Sequence, residues 1–171
     1  MRYVALLRGI NVGGRRKVSM VDLAEVTRGL GYGEVRTHVN SGNLLLTATE
    51  TEAEVVERLE GALSERFGFA IRLVVRDSAA IVTVAGRDPF PGRPTVAEHV
   101  YVTFLDRPAS PDVAALAGPA VLVEGREVYA LLDRGAMAKG GGPMAAIEKA
   151  VGRVTTRNMT TVRKLAEMTG E

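Results

Sequence analysis

Two short apolar runs, "VRTHV" at 35–39 and "LLLTA" at 44–48, are separated only by "NSGN". That composition turns tightly, because Asn and Gly tolerate the backbone a hairpin demands. A helical pattern stands on either side of it. Before it, Met20, Leu23, Ala24, Thr27 and Leu30 recur at helical spacing, with Ser19 placed to cap and Gly31 to stop. After it, Val55, Val56, Leu59, Ala62 and Leu63 form an apolar stripe between Thr51 and Arg66, and Glu52, Glu54, Glu57 and Glu60 make the opposite face acidic. "YVALLR" at 3–8 and "IRLVV" at 71–75 complete the order strand, helix, strand, strand, helix, strand. This order predicts a ferredoxin-like split β-α-β unit. "YVALLR" is apolar on both faces, so both sides of its sheet must be covered.

A helix over 77–86 and the breaker-rich "RDPFPGRP" lead into a second pass through the same order. "HVYVTFL" at 99–105 reads as a strand, and "SPDVAALAG" as a short helix. "AVLVEGREVYALL" reads as a hairpin turning at Glu124 and Gly125. The glycine-rich "DRGAMAKGGG" and a helix near 143–151 follow. "TTRNMTTVRKLAEM" reads as a C-terminal helix capped by Asn158 or Thr156. The halves share element order but no sequence identity. The expected fold class is therefore α+β: two ferredoxin-like subdomains, the second degenerate, plus a C-terminal helix. The expected boundaries are 1–76 for the first subdomain, 77–98 for the helix and connecting loop, and 99–171 for the second with its C-terminal helix.

The chain has 171 residues and no cysteine, which excludes disulfides, thiol nucleophiles and thiolate metal sites. Its first apolar run is too short for a signal peptide, and no stretch approaches the roughly 18 apolar residues of a membrane span. A cytoplasmic protein without membrane partners is expected. The net charge of +2 is unevenly spread. Residues 1–49 carry seven basic and three acidic groups, residues 50–133 eight and fourteen, and residues 134–171 seven and three. Two basic ends flank an acidic middle, and together they would make a positive face.

Topology indicates where the unusual residues meet. In the split unit the first and third strands are neighbours, so the loop "LRGINVGGRRK" at 7–17 and the turn "NSGN" should sit side by side at one end of the sheet. Arg8, Asn11, Gly13, Gly14, Arg15, Lys17, Asn40, Ser41 and Asn43 would gather there, with Arg157 and Asn158 of "TTRN" as a third contribution. Glycine N–H groups can cradle an anion, asparagine both donates and accepts, and arginine offers a fork to phosphate or carboxylate. Gly and Asn are also what plain turns need.

Familiar chemistries fit poorly. Gly9 and Gly14 have the outer spacing of a P-loop, but Arg15 stands where Lys is needed and Arg16 where Ser or Thr would hold magnesium. "DRGAMAKGGG" lacks the dinucleotide-binding pattern. His38 and His99 fall in expected strands, no histidine–carboxylate cluster suggests a metal, and Ser41 has no evident base. No cofactor is expected. RNA-recognition domains stack bases on third-strand aromatics, and "LLLTA" has none. Phosphate-backbone contact through Arg15, Arg16, Lys17, Arg157, Arg163 and Lys164 needs only positive charge; a helix C-terminus alone would also favour the cations of "VRK".

"YVALLRGINVGG", "KVSM", "VNSGNLLL", "FGF", "DPFP", "TFL" and "TTRNMTTVRKL" occur in this order. Together they resemble the signature segments of the bacterial family known as domain of unknown function 1697, from residue 1 to about 168. The resemblance implies an α+β fold with ferredoxin-like subdomains and no particular activity. Two positions depart from the family pattern: Met159 stands where an aromatic is frequent, and Ala138-Lys139 where a Ser-Lys pair is usual. The expected function is a binding module for an anionic partner, either a nucleotide-like small molecule or a nucleic-acid backbone, at the Gly/Asn/Arg loop cluster. The alternatives are an enzyme acting on a phosphorylated or carboxylated metabolite and a protein-interaction scaffold with structural loops. A pocket formed by the three segments would favour the binding module or the enzyme, whereas dense internal hydrogen bonding of Asn11, Asn40, Asn43 and Asn158 with no cavity would favour the scaffold.

Overall fold

The computed structural model describes residues 1–93, 95–132, 143–151 and 154–170. "DRGAMAKGGG", including Ala138-Lys139, lies outside the described residues. The chain forms two compact units, Met1–Val82 with Leu165–Glu171, and Thr83–Lys164. The class is mixed α and β, with two four-stranded antiparallel sheets.

The first unit runs β1 (Arg2–Leu7), α1 (Met20–Gly29), β2 (Gly33–His38), β3 (Asn43–Thr47), α2 (Glu52–Phe67) and β4 (Leu73–Asp77), and α3 (Ser78–Gly86) follows. Its sheet order is β2-β3-β1-β4, so β1 and β3 are neighbours as the topology requires. Local chemistry sets the helix ends. Ser19 Oγ accepts from the Asp22 N–H to start α1. Thr51 and Glu54 form a reciprocal capping box on α2, and Gly68 closes that helix at φ +75°. The Thr51 hydrogen bonds hold the Glu54 carboxyl below the usual range.

Tyr3, Ala5 and Leu7 pack with Leu23, Leu59 and Leu63 in one core. Val4 and Leu6, on the opposite face of β1, are buried as well. Both faces of this strand are covered, as its sequence implies. The acidic face of α2 differs from expectation at Glu60. That residue is buried, accepts from the Leu73 N–H at 3.0 Å and pairs with Arg72 at 2.8 Å. It ties α2 to the start of β4. Arg2 and Arg36 donate to the carbonyls of Thr169 and Met168, which brings cations to the last turn of the C-terminal helix.

The second unit holds β5 (Val100–Leu105), α4 (Pro111–Ala114), β6 (Val121–Glu124), β7 (Glu127–Leu131), α5 (Pro143–Val151) and β8 (Val154–Asn158), with α6 (Met159–Gly170) beginning there. Its sheet order is β6-β7-β5-β8. "TTRN" is therefore a strand and not the start of a helix, and Asn158 is the residue that caps α6. The second sheet accordingly has the same strand number and order as the first. The β-branched pair Thr155-Thr156 tolerates extended backbone, and the ladder that Val154–Asn158 makes along β5, distant in sequence, decides the outcome.

The pairing registers reveal a repeat that residue identities conceal. Tyr3-Val4 on β1 oppose Asp77-Arg76 on β4, and Tyr101-Val102 on β5 oppose Asn158-Arg157 on β8. Each arginine is buried and donates Nη1 to the carbonyl of the preceding residue, at 2.9 Å for Arg76 and 2.8 Å for Arg157. Each following residue caps a helix through Oδ1: Asp77 accepts from Ala80 N–H at 2.8 Å, and Asn158 from Thr161 N–H at 2.9 Å. His99 lies in a 3₁₀ turn, Ala97–His99, just before β5, whereas His38 ends β2.

Candidate functional site

Leu7 donates its N–H to the Gly42 carbonyl at 2.8 Å, which joins the end of β1 to the β2–β3 turn. No side chain fits at Gly42. Its φ is +80°, and a Cβ there would meet Ile10 Cδ1 at 2.6 Å and Leu7 Cβ at 2.8 Å. Sequence reasoning overlooked this residue. The signal was a glycine inside a turn that must approach another backbone.

The opening loop is a small hairpin. Val12 bridges Arg15, the Arg15 N–H donates to the Val12 carbonyl at 3.1 Å, and the Asn11 N–H donates to the Arg16 carbonyl at 3.0 Å. Gly13 and Gly14, at φ +59° and +72°, are the central residues of its two-residue turn. Asn11 clamps the hairpin. Its Nδ2 donates to the carbonyls of Val18 at 2.9 Å and Asn40 at 2.8 Å, and its Oδ1 accepts from the Val18 N–H at 2.9 Å. The buried Asn43 donates to the His38 carbonyl and to Ser41 Oγ. These asparagines are consumed by internal bonds.

The cationic side chains take no part in these bonds. Arg15, Arg16 and Lys17 are exposed. Arg16 lies over the Phe69 ring at 5.9 Å. The Arg15 and Lys17 side chains have no hydrogen-bond or ion-pair partner among the described residues. Arg8 is half-buried, and its backbone N–H donates to the Arg72 carbonyl at 2.8 Å. An open groove of about 520 Å³ beside the hairpin is lined by Asn11, Gly14, Lys17 and Asn40 together with Val18 and Val21. Val12 and Val39 are exposed on the two adjoining turns. Val39 also takes φ +51°, a left-handed backbone that a β-branched residue rarely adopts.

The expected residues of 8–17 and 40–43 thus come together in the first unit. Arg157 and Asn158 belong to the second unit and make bonds within it. Burial pushes the Arg157 guanidinium down to about 10. Met159 is buried at the head of α6. Among the described residues no group of three or more His, Asp or Glu stands where it could hold a metal ion, and no helix is long and apolar enough to cross a membrane.

Residues 1–135 match the model of the family described as "Protein of unknown function (DUF1697)". The chain belongs to this family. The match covers the opening loop and the β2–β3 turn; "TTRNMTTVRKL" lies beyond it. No curated protein matches the sequence. The chain is similar in fold to a solved structure titled as that of the conserved bacterial protein SP0830 from Streptococcus pneumoniae. The TM-score is 0.75 at 22% identity, over 99% of this chain and 98% of that one.

Proposed function

We propose that this DUF1697 chain is a binding module built from two ferredoxin-like units, and that the first unit holds an anionic partner on its 11–17 hairpin. The partner is a nucleic-acid backbone. One observation carries this reading: the Asn11 clamp fixes a hairpin whose Arg15, Arg16 and Lys17 side chains stand in solvent. Cations carried on an anchored backbone at an open surface suit phosphates, and binding phosphates requires no aromatic platform. A small nucleotide would instead favour an enclosed pocket, whereas the groove at Asn11 and Asn40 is open.

A protein-interaction scaffold is the second reading. It is favoured by the internal hydrogen bonds of Asn11 and Asn43 and by the exposed Val12 and Val39. Polarisation binding with labelled single- and double-stranded RNA and DNA separates the two. The nucleic-acid reading expects saturable binding that weakens steeply with salt. Absence of binding at low salt rejects it in favour of the scaffold.

A further inference from the structure

A cavity of about 500 Å³ opens within the second unit, walled by the loop after α3, the 3₁₀ turn before β5 and the first turns of α6. It brings together two segments that the hairpin site leaves unused, "DPFP" and "TTRNMTTVRKL", through Asp88 and Pro89 on one side and Met159 and Arg163 on the other. We propose that this cavity binds the phosphate monoester group of a small molecule, at a site independent of the hairpin.

Three arginines line it: Arg87, Arg93 and Arg163. Arg87 is held by both carboxylate oxygens of Glu124, with Nε at 2.9 Å from Oε2. This pairing raises the Arg87 pKa and lowers that of Glu124. Arg87, paired in this way, forms one wall. Asp88 turns Oδ1 back to the Phe90 N–H at 3.3 Å and shapes the loop. Arg93 spends one Nη on the Pro119 carbonyl, which anchors its side chain and leaves further guanidinium N–H groups for a ligand. Arg163 has no hydrogen-bond or ion-pair partner among the described residues. It follows Met159 by one turn of α6, and the buried Met159 and Val100 add two apolar side chains to a mainly polar wall.

Glu124 offsets Arg87, and Asp88 offsets one further cation, so these groups together remain positive. Arg93 and Arg163 come from different elements. One planar carboxylate is satisfied by a single guanidinium fork, whereas a tetrahedral phosphate presents oxygens in several directions and can engage two. The first residue of α6 also lines the cavity, and the positive end of a helix favours the same ligand. The volume fits a molecule of nucleotide-monophosphate size.

The test is calorimetric titration of the full chain with inorganic phosphate, adenosine 5′-monophosphate and adenosine. Saturable binding of a phosphate-bearing probe is expected, with none for adenosine. Arg93→Gln and Arg163→Gln, both at exposed positions, should each weaken it about tenfold or more, as loss of a charged hydrogen bond requires. Retained circular dichroism shows that the variants fold. A 5′-phosphorylated pentanucleotide identifies the source of the group. Tighter, Arg163-dependent binding than the monophosphate points to a nucleic-acid end, and weaker binding points to a free metabolite. The proposal is overturned if neither phosphate nor the monophosphate saturates by about 10 mM. Adenosine binding equally well, or both variants binding as the native chain does, overturns it too.

Discussion

Replacing Gly42 by alanine strikes the close approach that fixes the candidate site. Two costs apply. At φ +80° an L-residue takes up left-handed backbone, which costs about 1–2 kcal/mol. The added Cβ would then stand 2.6 Å from Ile10 Cδ1 and 2.8 Å from Leu7 Cβ. Both neighbours are buried, so they can yield only by disturbing the core, and such overpacking costs roughly 1–3 kcal/mol. The sum is about 2–5 kcal/mol, or about 4–20 °C in Tm for a chain of this length. Gly13→Ala is the control. Its φ is +59°, and nothing lies within 4 Å of a Cβ there, so only the backbone cost of about 1–2 kcal/mol applies. Urea denaturation of both variants beside the parent measures the difference. Gly42→Ala should lose more stability by at least about 1 kcal/mol. Equal losses, or a larger loss at Gly13, would refute the close approach of the turn to β1.

Asn11→Ala removes three hydrogen bonds and should cost about 2–4 kcal/mol by urea denaturation. It should also weaken nucleic-acid binding without removing a charge, because the hairpin loses its anchor. Val39 sits at φ +51° and is half-exposed. Val39→Asn should therefore raise stability by about 1 kcal/mol, and a lower Tm would show that the valine packs usefully. Burial, with Glu127 and Glu124 nearby, pushes the Tyr129 hydroxyl up to about 12. The folded state prefers the neutral phenol, so stability is full below the unfolded value near 10 and falls as pH rises from there toward 12. Spectrophotometric titration should show a late-ionising phenol that Tyr129→Phe removes.

Much of the first unit was legible because its periodicities are clean. The stripe of α2, the cap at Ser19 and the "NSGN" turn each identify one element without ambiguity. β8 was not legible. Its alternating positions, Val154, Thr156 and Asn158 against Thr155 and Arg157, are nearly all polar, and the segment runs straight into a well-patterned helix. The internal repeat was legible in element order alone, and its residue-by-residue correspondence was hidden for a related reason. It lies in pairing register, where Arg76 and Arg157 do the same work opposite Val4 and Val102, and register is invisible before the strands are paired. For the candidate site, topology correctly brought the opening loop beside the hairpin turn, since that follows from strand order alone. The roles within it were harder to read. Asn11 and an exposed binding asparagine look identical in sequence, and only the carbonyls of Val18 and Asn40 distinguish them. Arg157 read as a surface cation because nothing in "TTRN" announces that its side chain is buried.

The central claim is that the clamped hairpin tracks phosphates. Its most direct test is the salt dependence of RNA and DNA affinity for the native chain, Arg15→Ala and Lys17→Ala, with folding checked by circular dichroism. Each variant should bind more weakly on every sequence. The slope of log affinity against log salt should also become shallower by about 0.7–0.9 for each phosphate that the variant no longer neutralises. Unchanged affinity and slope in both variants would contradict it.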